Sequence, residues 1–362
     1  MSRFLTQLVR QMNPYMPGEQ PQDKRYIKLN TNECPYGPSK LVTEAIKLYN
    51  AEDLKLYPDP LSLRLKSSAA DFHKLESNQV FVSGGSDETL AYAFMAFSQK
   101  GDKVYFPDIT YGFYKVYAEL FEIEACEIPL KENLSIDVTD YFGLDGNIFI
   151  ANPNAPTGIC LRREDIQKIL ENNPDRLVVV DEAYVDFSDG KSSVDLINKY
   201  ENLLVVQTFS KSRSLAGMRI GFGFAQSSLI EGLEKIKFSF NPYNIDRITT
   251  EVASASIKDC EYFEDTIKKV VETREWTRAE LEKRGFCICK SESNFLFISC
   301  ELFPAEEFYL KLKDRGILVR YFSKERIKNY IRMSIGTGEE MVLVMKVVDE
   351  IISELTEGTV QI

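Results

Sequence analysis

Short apolar segments alternate with amphipathic segments of helical length from Val80 to Val206, and this pattern limits the possible folds more than any other. The apolar segments hold few polar positions, so both faces of each predicted strand are expected to be buried. Such strands, joined by helices, are typical of a mostly parallel sheet with helices on both faces. The predicted strands are Val80–Val82, Lys103–Phe106, Asn147–Ile150, Leu177–Val180 and Leu203–Val206.

The pattern changes at both ends of the chain. Residues 1–38 are rich in Pro, Gly, Asn and Tyr and lack the periodicity of a long helix, so we expect an arm or a segment of a small domain. From residue 265 onward, predicted strands and helices follow without strict β-α-β order, which favours a small α+β domain. The sequence therefore predicts an α/β fold, with a large domain at 39–264 and a small α+β domain at 265–362.

Composition and charge exclude several classes of protein. A net charge of −11 argues against nucleic-acid binding, because a phosphate backbone requires a basic surface. The sequence lacks the roughly 20 consecutive apolar residues of a membrane span and also a signal peptide, so we expect a cytoplasmic protein. Seven cysteines at irregular spacing favour reduced thiols. With a single histidine, His73, neither a zinc site nor a histidine-dependent hydrolase is expected.

A cluster of cations and hydroxyls follows the predicted strand Leu203–Val206. Lys211 stands where this strand gives way to a loop, which is the usual place for ligands in open α/β sheets. Ser210, Arg219 and their neighbours supply the donors that a bound phosphate requires. A lysine beside a phosphate site favours a Schiff base to pyridoxal 5′-phosphate (PLP). Taken alone, the stretch is equally consistent with a solvated basic loop.

Asp181 ends the apolar segment Leu177–Val180 and opens the motif Asp-Glu-Ala-Tyr, which closes at Tyr184. A carboxylate at the end of a buried strand is costly unless it is paired with a cation. The ring nitrogen of PLP is a candidate cation, because an ionised Asp181 would keep it protonated and able to withdraw electrons from a substrate. Tyr184 could donate to the phenolate oxygen of PLP. Alone, the motif is also consistent with a helix cap and a packing tyrosine.

Three further strand ends carry small or polar residues. Ser86 and Asp87 lie in a glycine-containing turn before a predicted helix, whose amides and dipole favour a bound anion. Tyr111 follows the next strand and could stack on a pyridine ring. The turn Asn152–Gly158 follows another strand. One shared site at the edge of the sheet explains these strand ends better than independent coincidence.

In this order, the motifs resemble PLP-dependent aminotransferases of fold type I, and within them the histidinol-phosphate aminotransferases. The similarity extends over nearly the whole chain. Each motif is weak alone, and their order makes the resemblance specific. The matching segments are Asn13–Gly18, Asn32–Ser39, Tyr57–Pro60, Gly85–Glu88, Asn152–Gly158, Asp181–Phe187, the segment around Lys211, and Tyr330–Thr337.

The resemblance implies a role for each matching residue. Lys211 is the implied Schiff-base lysine and general base, Asp181 the partner of the ring nitrogen, and Tyr184 the partner of the phenolate oxygen. The other implied cofactor-binding residues are Ser86, Asp87, Tyr111, Ser210 and Arg219, with Tyr57 reaching in from a second subunit. The resemblance therefore also implies a homodimer with shared active sites.

The resemblance implies the substrates as well. Arg332 is expected to bind the carboxylate of the amino-acid partner, because a guanidinium within an apolar pattern needs an anion. Arg320 and Tyr15 are expected near the substrate phosphate, and Asn32 in the substrate pocket. The implied reaction converts L-histidinol phosphate and 2-oxoglutarate to imidazole-acetol phosphate and glutamate.

Several alternatives stay open at the level of sequence. One is a lyase similar to threonine-phosphate decarboxylase, which shares the fold and a phosphorylated substrate. The others are an aromatic aminotransferase and a noncatalytic PLP-binding regulatory protein. A nicotinamide-linked dehydrogenase is disfavoured, because its glycine fingerprint is missing.

Two positions depart from the family pattern. The family commonly has an asparagine directly before Pro-Thr-Gly, where it bonds the phenolate oxygen, and this chain has Ala155. Either Asn152 or Asn154 takes over that bond, or Tyr184 makes it alone; Asn154 is our candidate for the cofactor site. Cys34 stands where the family often has asparagine, near the expected entrance for the substrate.

Overall fold

The structure, a computed structural model, describes residues 2–357. Its strands are β1 (Ile27–Lys28), β2 (Val80–Ser83), β3 (Lys103–Pro107), β4 (Glu124–Ile128), β5 (Asn147–Ala151), β6 (Val178–Asp181), β7 (Leu203–Thr208), β8 (Gly221–Phe224), β9 (Cys287–Ile288), β10 (Phe295–Ser299), β11 (Ile317–Leu318), β12 (Arg320–Tyr321) and β13 (Tyr330–Ser334). Its α-helices are α1 (Gln7–Gln11), α2 (Lys40–Leu48), α3 (Leu63–His73), α4 (Ser86–Phe97), α5 (Phe113–Leu120), α6 (Arg163–Glu171), α7 (Ser227–Phe240), α8 (Arg247–Lys258), α9 (Cys260–Lys283), α10 (Ala305–Asp314) and α11 (Gly338–Glu357).

The larger sheet has seven strands in the order β2-β8-β7-β6-β5-β3-β4. Strands β7, β6, β5, β3 and β4 run parallel, whereas β8 is antiparallel to both of its neighbours. The prediction of a mostly parallel sheet is confirmed. The apolar pattern does not reveal β4, which is a partly exposed edge strand, or β8, in which glycine alternates with phenylalanine and lowers the strand propensity.

Alternate residues of β6 face opposite sides of the larger sheet, as a side-chain period of two requires. Val178 and Val180 pack in one apolar cluster with α3, α6 and α8, whereas Val179 packs in another with α4, α5 and α7. The sheet therefore lies between two layers of helices. This arrangement leaves the carboxyl ends of the parallel strands as the edge where a ligand can bind.

The smaller sheet is antiparallel, with four strands in the order β12-β13-β10-β9. Its apolar face packs with α9, α10 and α11 in a third cluster, which also includes Leu29. Strand β1 pairs in parallel with β11, so the N-terminal segment is attached to the C-terminal part of the chain. The domain boundary between residues 264 and 265 falls inside α9 and stays a prediction.

None of the helices described in residues 2–357 combines the length and the apolar character that crossing a membrane requires. The seven cysteines are free thiols. In the part of the chain that the structure describes, His, Cys, Asp and Glu side chains form no group of three or more that could hold a metal ion.

Candidate active site

A cavity of about 460 Å³ opens at the carboxyl ends of β6 and β7, and the N-terminal segment and the smaller sheet form its opposite wall. All of the predicted site residues except Tyr57 and Asn154 line it. The residues brought together are Tyr15, Asn32, Ser86, Asp87, Tyr111, Asp181, Tyr184, Ser210, Lys211, Arg219, Arg320 and Arg332. The binding and catalytic roles assigned to them stay predictions.

Lys211 lies in the loop after β7, with its amine buried in the cavity wall. Its Nζ donates to the backbone carbonyl of Thr31 at 3.1 Å. Burial, followed by the positive charge of Arg332, lowers the pKa of the amine to about 8, while the carboxylate of Glu33 acts in the opposite direction. More of this amine is therefore neutral near pH 7 than of an ordinary lysine, and a neutral amine can act as a nucleophile or a base.

Asp181 is the last residue of β6 and only 5% of its surface is exposed. Its Oδ2 accepts a hydrogen bond from Tyr114 Oη at 3.0 Å, and its Oδ1 accepts one from the Ala183 amide at 3.2 Å. Burial raises the pKa of this carboxyl to about 7, against the lowering effect of these two donors. A buried carboxylate of this kind is suited to a cationic partner in the cavity.

The N-terminus of α4 and the loop after β7 form a corner suited to an anion. Helix α4 begins at Ser86 without a side-chain cap, so the amides of its first turn point toward the corner. Arg219 donates to Ser210 Oγ at 3.3 Å and forms an ion pair with Asp87 at 3.3 Å. Gly221 permits this close packing, because a Cβ at that position would lie 2.4 Å from the amide nitrogen of Ser86.

Two guanidinium groups reach the cavity from the smaller sheet. Arg332 on β13 donates through Nη2 to the Asn30 carbonyl at 2.9 Å, and its Nε has no hydrogen-bond partner within residues 2–357. Arg320 on β12 donates to the carbonyls of Met16 and Pro17 at 2.9 and 3.1 Å. Backbone carbonyls carry no net charge, so these contacts leave both positive charges unneutralised.

Tyrosines and an asparagine complete the walls. Tyr111 Oη donates to Asp87 Oδ1 at 2.7 Å, and the Tyr15 ring stacks on Phe113 with 4.2 Å between ring centroids. Tyr184 Oη accepts from Asn32 Nδ2 at 3.0 Å, so its own proton can be donated into the cavity. Asn32 has a φ of 57°, a left-handed conformation that is uncommon for residues other than glycine and that asparagine adopts more readily than most.

Asn154 does not line the cavity, and its expected contact with a cofactor stays a prediction. Its Nδ2 donates to the Ile109 carbonyl at 2.9 Å, and its Oδ1 accepts from Thr110 at 2.7 Å. The Asn152 side chain is likewise occupied, with its Oδ1 accepting from the Leu161 amide at 2.7 Å. Both side-chain amides are therefore engaged in hydrogen bonds within the protein, and Tyr184 stays our expected donor to the phenolate oxygen.

Tyr57 lies outside the cavity of its own chain. Its side chain is 77% exposed and stacks on Tyr243 with 4.5 Å between ring centroids. Arg247 holds the loop by donating to the Tyr57 carbonyl at 3.0 Å. This exposed position is compatible with the contact expected across two subunits, which stays a prediction.

The sequence patterns do not identify Tyr114 or the Thr31 carbonyl as parts of the site. Tyr114 is fully buried on α5, and a buried tyrosine on an amphipathic helix is ordinarily a packing residue. Its one sequence signal is its position in the first turn of the helix that follows Tyr111. A backbone acceptor such as Thr31 has no side-chain signature at all.

A larger cavity of about 630 Å³ lies between α3 and α7. Its most buried charged groups, Lys66 and Glu234, pair with each other at 2.5 Å, and Glu234 also contacts Lys237 at 2.9 Å. These buried charges neutralise one another, and the lining includes none of the predicted site residues. The smaller cavity is therefore the candidate active site.

The family model "Aminotransferase class I and II" matches residues 24–348. The chain belongs to the class I and II aminotransferases. Two relatives of nearly equal length support the same assignment. A histidinol-phosphate aminotransferase of Brachyspira hyodysenteriae is 53% identical over 94% of this chain and 96% of its own length. One of Clostridium botulinum is 49% identical over 98% of this chain and 100% of its own length.

The fold of this aminotransferase also agrees with solved structures. A histidinol-phosphate aminotransferase of Sinorhizobium meliloti, solved in complex with pyridoxal 5′-phosphate, superposes with a TM-score of 0.89 at 23% identity. The superposition covers 98% of this chain and 99% of that one. The predicted fold class and the resemblance to the family are thereby confirmed.

PLP is the cofactor of this aminotransferase, and the residues of the cavity fit it. Buried Asp181 is suited to the protonated ring nitrogen, and Tyr184 to the phenolate oxygen. The corner formed by the α4 N-terminus, Ser210 and Arg219 is suited to the phosphate. The amine of Lys211 lies in the same cavity and is available for covalent attachment.

Proposed function

We propose that this aminotransferase moves the amino group of L-histidinol phosphate to 2-oxoglutarate, giving imidazole-acetol phosphate and glutamate. The observation that carries the proposal is a single cavity that holds the amine of Lys211 together with the unneutralised guanidiniums of Arg320 and Arg332. A donor with a phosphate and an acceptor with two carboxylates both require cations near the reacting carbon. Identities of 53% and 49% to histidinol-phosphate aminotransferases, over nearly the full length, support the same reaction.

Lys211 is the proposed proton carrier. Bound PLP supplies an electron-withdrawing ring that makes the hydrogen on the substrate Cα acidic. The lowered pKa of Lys211, about 8, means that its amine can both accept that proton and release it near neutral pH. The Thr31 carbonyl, 3.1 Å from Nζ, orients the amine along one direction of the cavity.

Arg332 and Arg320 are the proposed anion-binding groups. Arg332 has one N–H with no partner within the described residues and a second bound to a neutral carbonyl, so an entering carboxylate or phosphate gains two charge-assisted hydrogen bonds. Arg320 holds the segment at Met16 and Pro17, which places Tyr15 beside the same anion. Arg332 can then serve both substrates in turn, and Arg320 serves the phosphate of the donor.

We also propose that two copies of the chain share their active sites. Tyr57 stacks on exposed Tyr243, and further large exposed apolar side chains, Leu54, Leu56 and Phe240, lie within three residues of one or the other along the chain; a second copy would cover such a surface. The Tyr57 hydroxyl would then complete the phosphate corner of the partner. Sedimentation velocity should give a dimer, and Tyr57→Phe should weaken PLP binding while leaving the dimer intact.

A cytoplasmic location is part of the same proposal. The seven free cysteines favour a reducing compartment. Cell fractionation with an antibody to the native protein tests this; recovery in an oxidising compartment would contradict it.

The experiment that tests the reaction supplies PLP-loaded protein with L-histidinol phosphate and 2-oxoglutarate and measures glutamate and imidazole-acetol phosphate. Equal amounts of the two products are expected. Two further incubations separate the alternatives: L-threonine phosphate alone, with detection of carbon dioxide, and phenylalanine with 2-oxoglutarate. Carbon dioxide release, or faster turnover of phenylalanine than of L-histidinol phosphate, would overturn the proposed substrate.

A further inference from the structure

Tyr114 contacts Asp181, the carboxylate that we expect to pair with the ring nitrogen of the cofactor. Its ring is fully buried between Phe106, Tyr111 and Phe149, at centroid distances of 5.9, 5.8 and 5.8 Å. Aromatic packing on several sides fixes the direction of the hydroxyl. That hydroxyl donates to Asp181 Oδ2 at 3.0 Å.

The Asp181 carboxylate has two donors from within the described residues, and they differ in kind. The Ala183 amide, 3.2 Å from Oδ1, is backbone two residues along the chain and would be present with any side chain at 183. The Tyr114 hydroxyl comes from a different element, α5, and binds the other oxygen. Together the two donors hold both oxygens and set the plane of the carboxylate.

We propose that Tyr114 is a positioning residue, which holds Asp181 ionised and correctly oriented for the protonated ring nitrogen of PLP. The inference rests on the proposed function only through the cofactor, and it is independent of which amine the enzyme uses. A hydrogen bond to the charged form of a buried carboxyl favours that form, whereas burial opposes it. Without the hydroxyl, a larger fraction of Asp181 is protonated at neutral pH and cannot pair with the cation.

The surroundings of Asp181 increase the need for such a donor. The neighbouring carboxylates of Asp87, on α4, and Glu182, next along the chain, both raise the pKa of Asp181, as burial does. Tyr114 and the Ala183 amide lower it. Tyr184, whose hydroxyl is bound by Asn32, is a further titratable group near Asp181, and so are Tyr111 and Tyr117; the Asp181 charge raises the pKa of all three.

Tyr114→Phe removes the hydroxyl and keeps the packed ring, and the chain offers a matched control. Tyr141 is also buried, at 1% exposure, and its hydroxyl has no hydrogen-bond partner within residues 2–357. Tyr141→Phe therefore removes the same atom from an aromatic side chain that does not touch the cavity. Near-ultraviolet circular dichroism of the PLP-free proteins checks that both variants keep the native packing.

The measurement is the dissociation constant of PLP from pH 6 to pH 9. We expect Tyr114→Phe to raise it about tenfold at pH 6 to 7, and the ratio to the unsubstituted protein to shrink toward pH 9, where Asp181 is ionised in both. A purely structural role would change the constant by the same factor at every pH. A Tyr114→Phe profile that matches that of Tyr141→Phe, or a ratio that does not vary with pH, would overturn the inference.

A double-mutant cycle with Asp181→Asn tests whether Tyr114 acts through Asp181. In the Asp181→Asn background, Tyr114→Phe should change PLP affinity less than twofold, and an unchanged tenfold effect would contradict the inference. If Tyr114→Phe alone does not fold, the double variant can still be measured. It has no Asp181 carboxylate, so no buried carboxylate is left with a single hydrogen-bond donor. Failure of turnover with L-histidinol phosphate in a protein that shows these PLP effects would refute the proposed substrate alone.

Discussion

The two walls of the active-site cavity are built in opposite ways. On the wall formed by the larger sheet, Asp181 and Arg219 are held by hydrogen bonds or ion pairs from other side chains. On the opposite wall, Arg320 and Arg332 contact only neutral carbonyls among the hydrogen bonds described above, and one Arg332 N–H has no partner within residues 2–357. The wall of the larger sheet is preorganised for a cofactor that stays bound. The opposite wall keeps unneutralised guanidiniums for substrates that bind and dissociate.

This difference has an energetic basis. The binding free energy of a cofactor that stays bound offsets the unfavourable burial of Asp181 and Lys211. Those residues can therefore lie deep, after continuous apolar segments. Substrates of different shape must enter and leave, and cations at the edge of a second sheet can bind a phosphate or a carboxylate without rebuilding the core. We therefore expect substitutions on the first wall to affect chemistry and cofactor binding, and those on the second to affect substrate affinity.

Lys211→Ala should produce the largest effect. Loss of the proton carrier and of the covalent attachment should lower kcat by at least about 10⁴-fold, whereas PLP should still bind noncovalently to the rest of the corner. The measurements are glutamate formation and PLP content after equilibrium dialysis. Substitution of the exposed Lys191 by alanine is the control and should leave both unchanged. Activity near that of the control would exclude Lys211 as the catalytic amine.

Asp181→Asn should stabilise the PLP-free protein and weaken PLP binding. The pKa of this buried carboxyl rises from 3.8 to about 7 on folding, so between these values the folded state holds a proton that the unfolded chain has released. Stability then falls as pH rises, and the variant avoids this loss. Its advantage should be near zero at pH 4 and grow to about 4 kcal/mol above pH 7.

Urea unfolding of both PLP-free proteins across that pH range gives the comparison. A constant difference in unfolding free energy at all pH values would show that Asp181 does not titrate as a buried group. Burial of Asp181 in the wall of the larger sheet would then not destabilise the PLP-free protein.

Arg332→Ala should raise the KM of both substrates about 30- to 100-fold and change kcat less, because it removes charge-assisted hydrogen bonds to an anion. Arg332→Lys should recover only part of the affinity, since an ammonium cannot bind a carboxylate in two parallel hydrogen bonds. Steady-state kinetics with each substrate varied separately provide the test. Alanine at the exposed Arg176 is the control. A loss confined to kcat would move Arg332 from substrate binding to the chemistry.

Arg320→Ala should have the smallest effect and the most selective one. If Arg320 and Tyr15 lie beside the substrate phosphate, KM for L-histidinol phosphate should rise about tenfold, while KM for 2-oxoglutarate should change less than twofold. The ratio of the two changes is the quantity to report. An equal rise for both substrates would mean that Arg320 acts by holding the segment at Met16 and Pro17, and not by binding phosphate.

Much of the site could be predicted from local pattern. Asp181 and Lys211 both follow continuous apolar segments, and the ends of parallel strands meet at one edge of a sheet. Two features could not be predicted, the contacts of Asn154 and the strand β8, because both depend on segments that are distant in sequence. The amide of Asn154 is hydrogen-bonded to Ile109 and Thr110, which follow a different strand, and no local pattern indicates these contacts. The sequence pattern does not predict strand β8, because glycine lowers strand propensity. Gly221 is instead required for the close approach of α4.

The sequence by itself determined which residues stand at the strand ends, because apolar runs and the polar residues that end them are neighbours along the chain. Only the tertiary structure decided which polar groups have hydrogen-bond partners. Asp181 accepts a hydrogen bond from the Tyr114 hydroxyl, whereas one Arg332 N–H has no partner within residues 2–357. The physical reason is that burial and hydrogen bonding depend on distances between residues far apart in sequence. Those distances set the pKa values of Lys211 and Asp181, and through them the chemistry of the cavity.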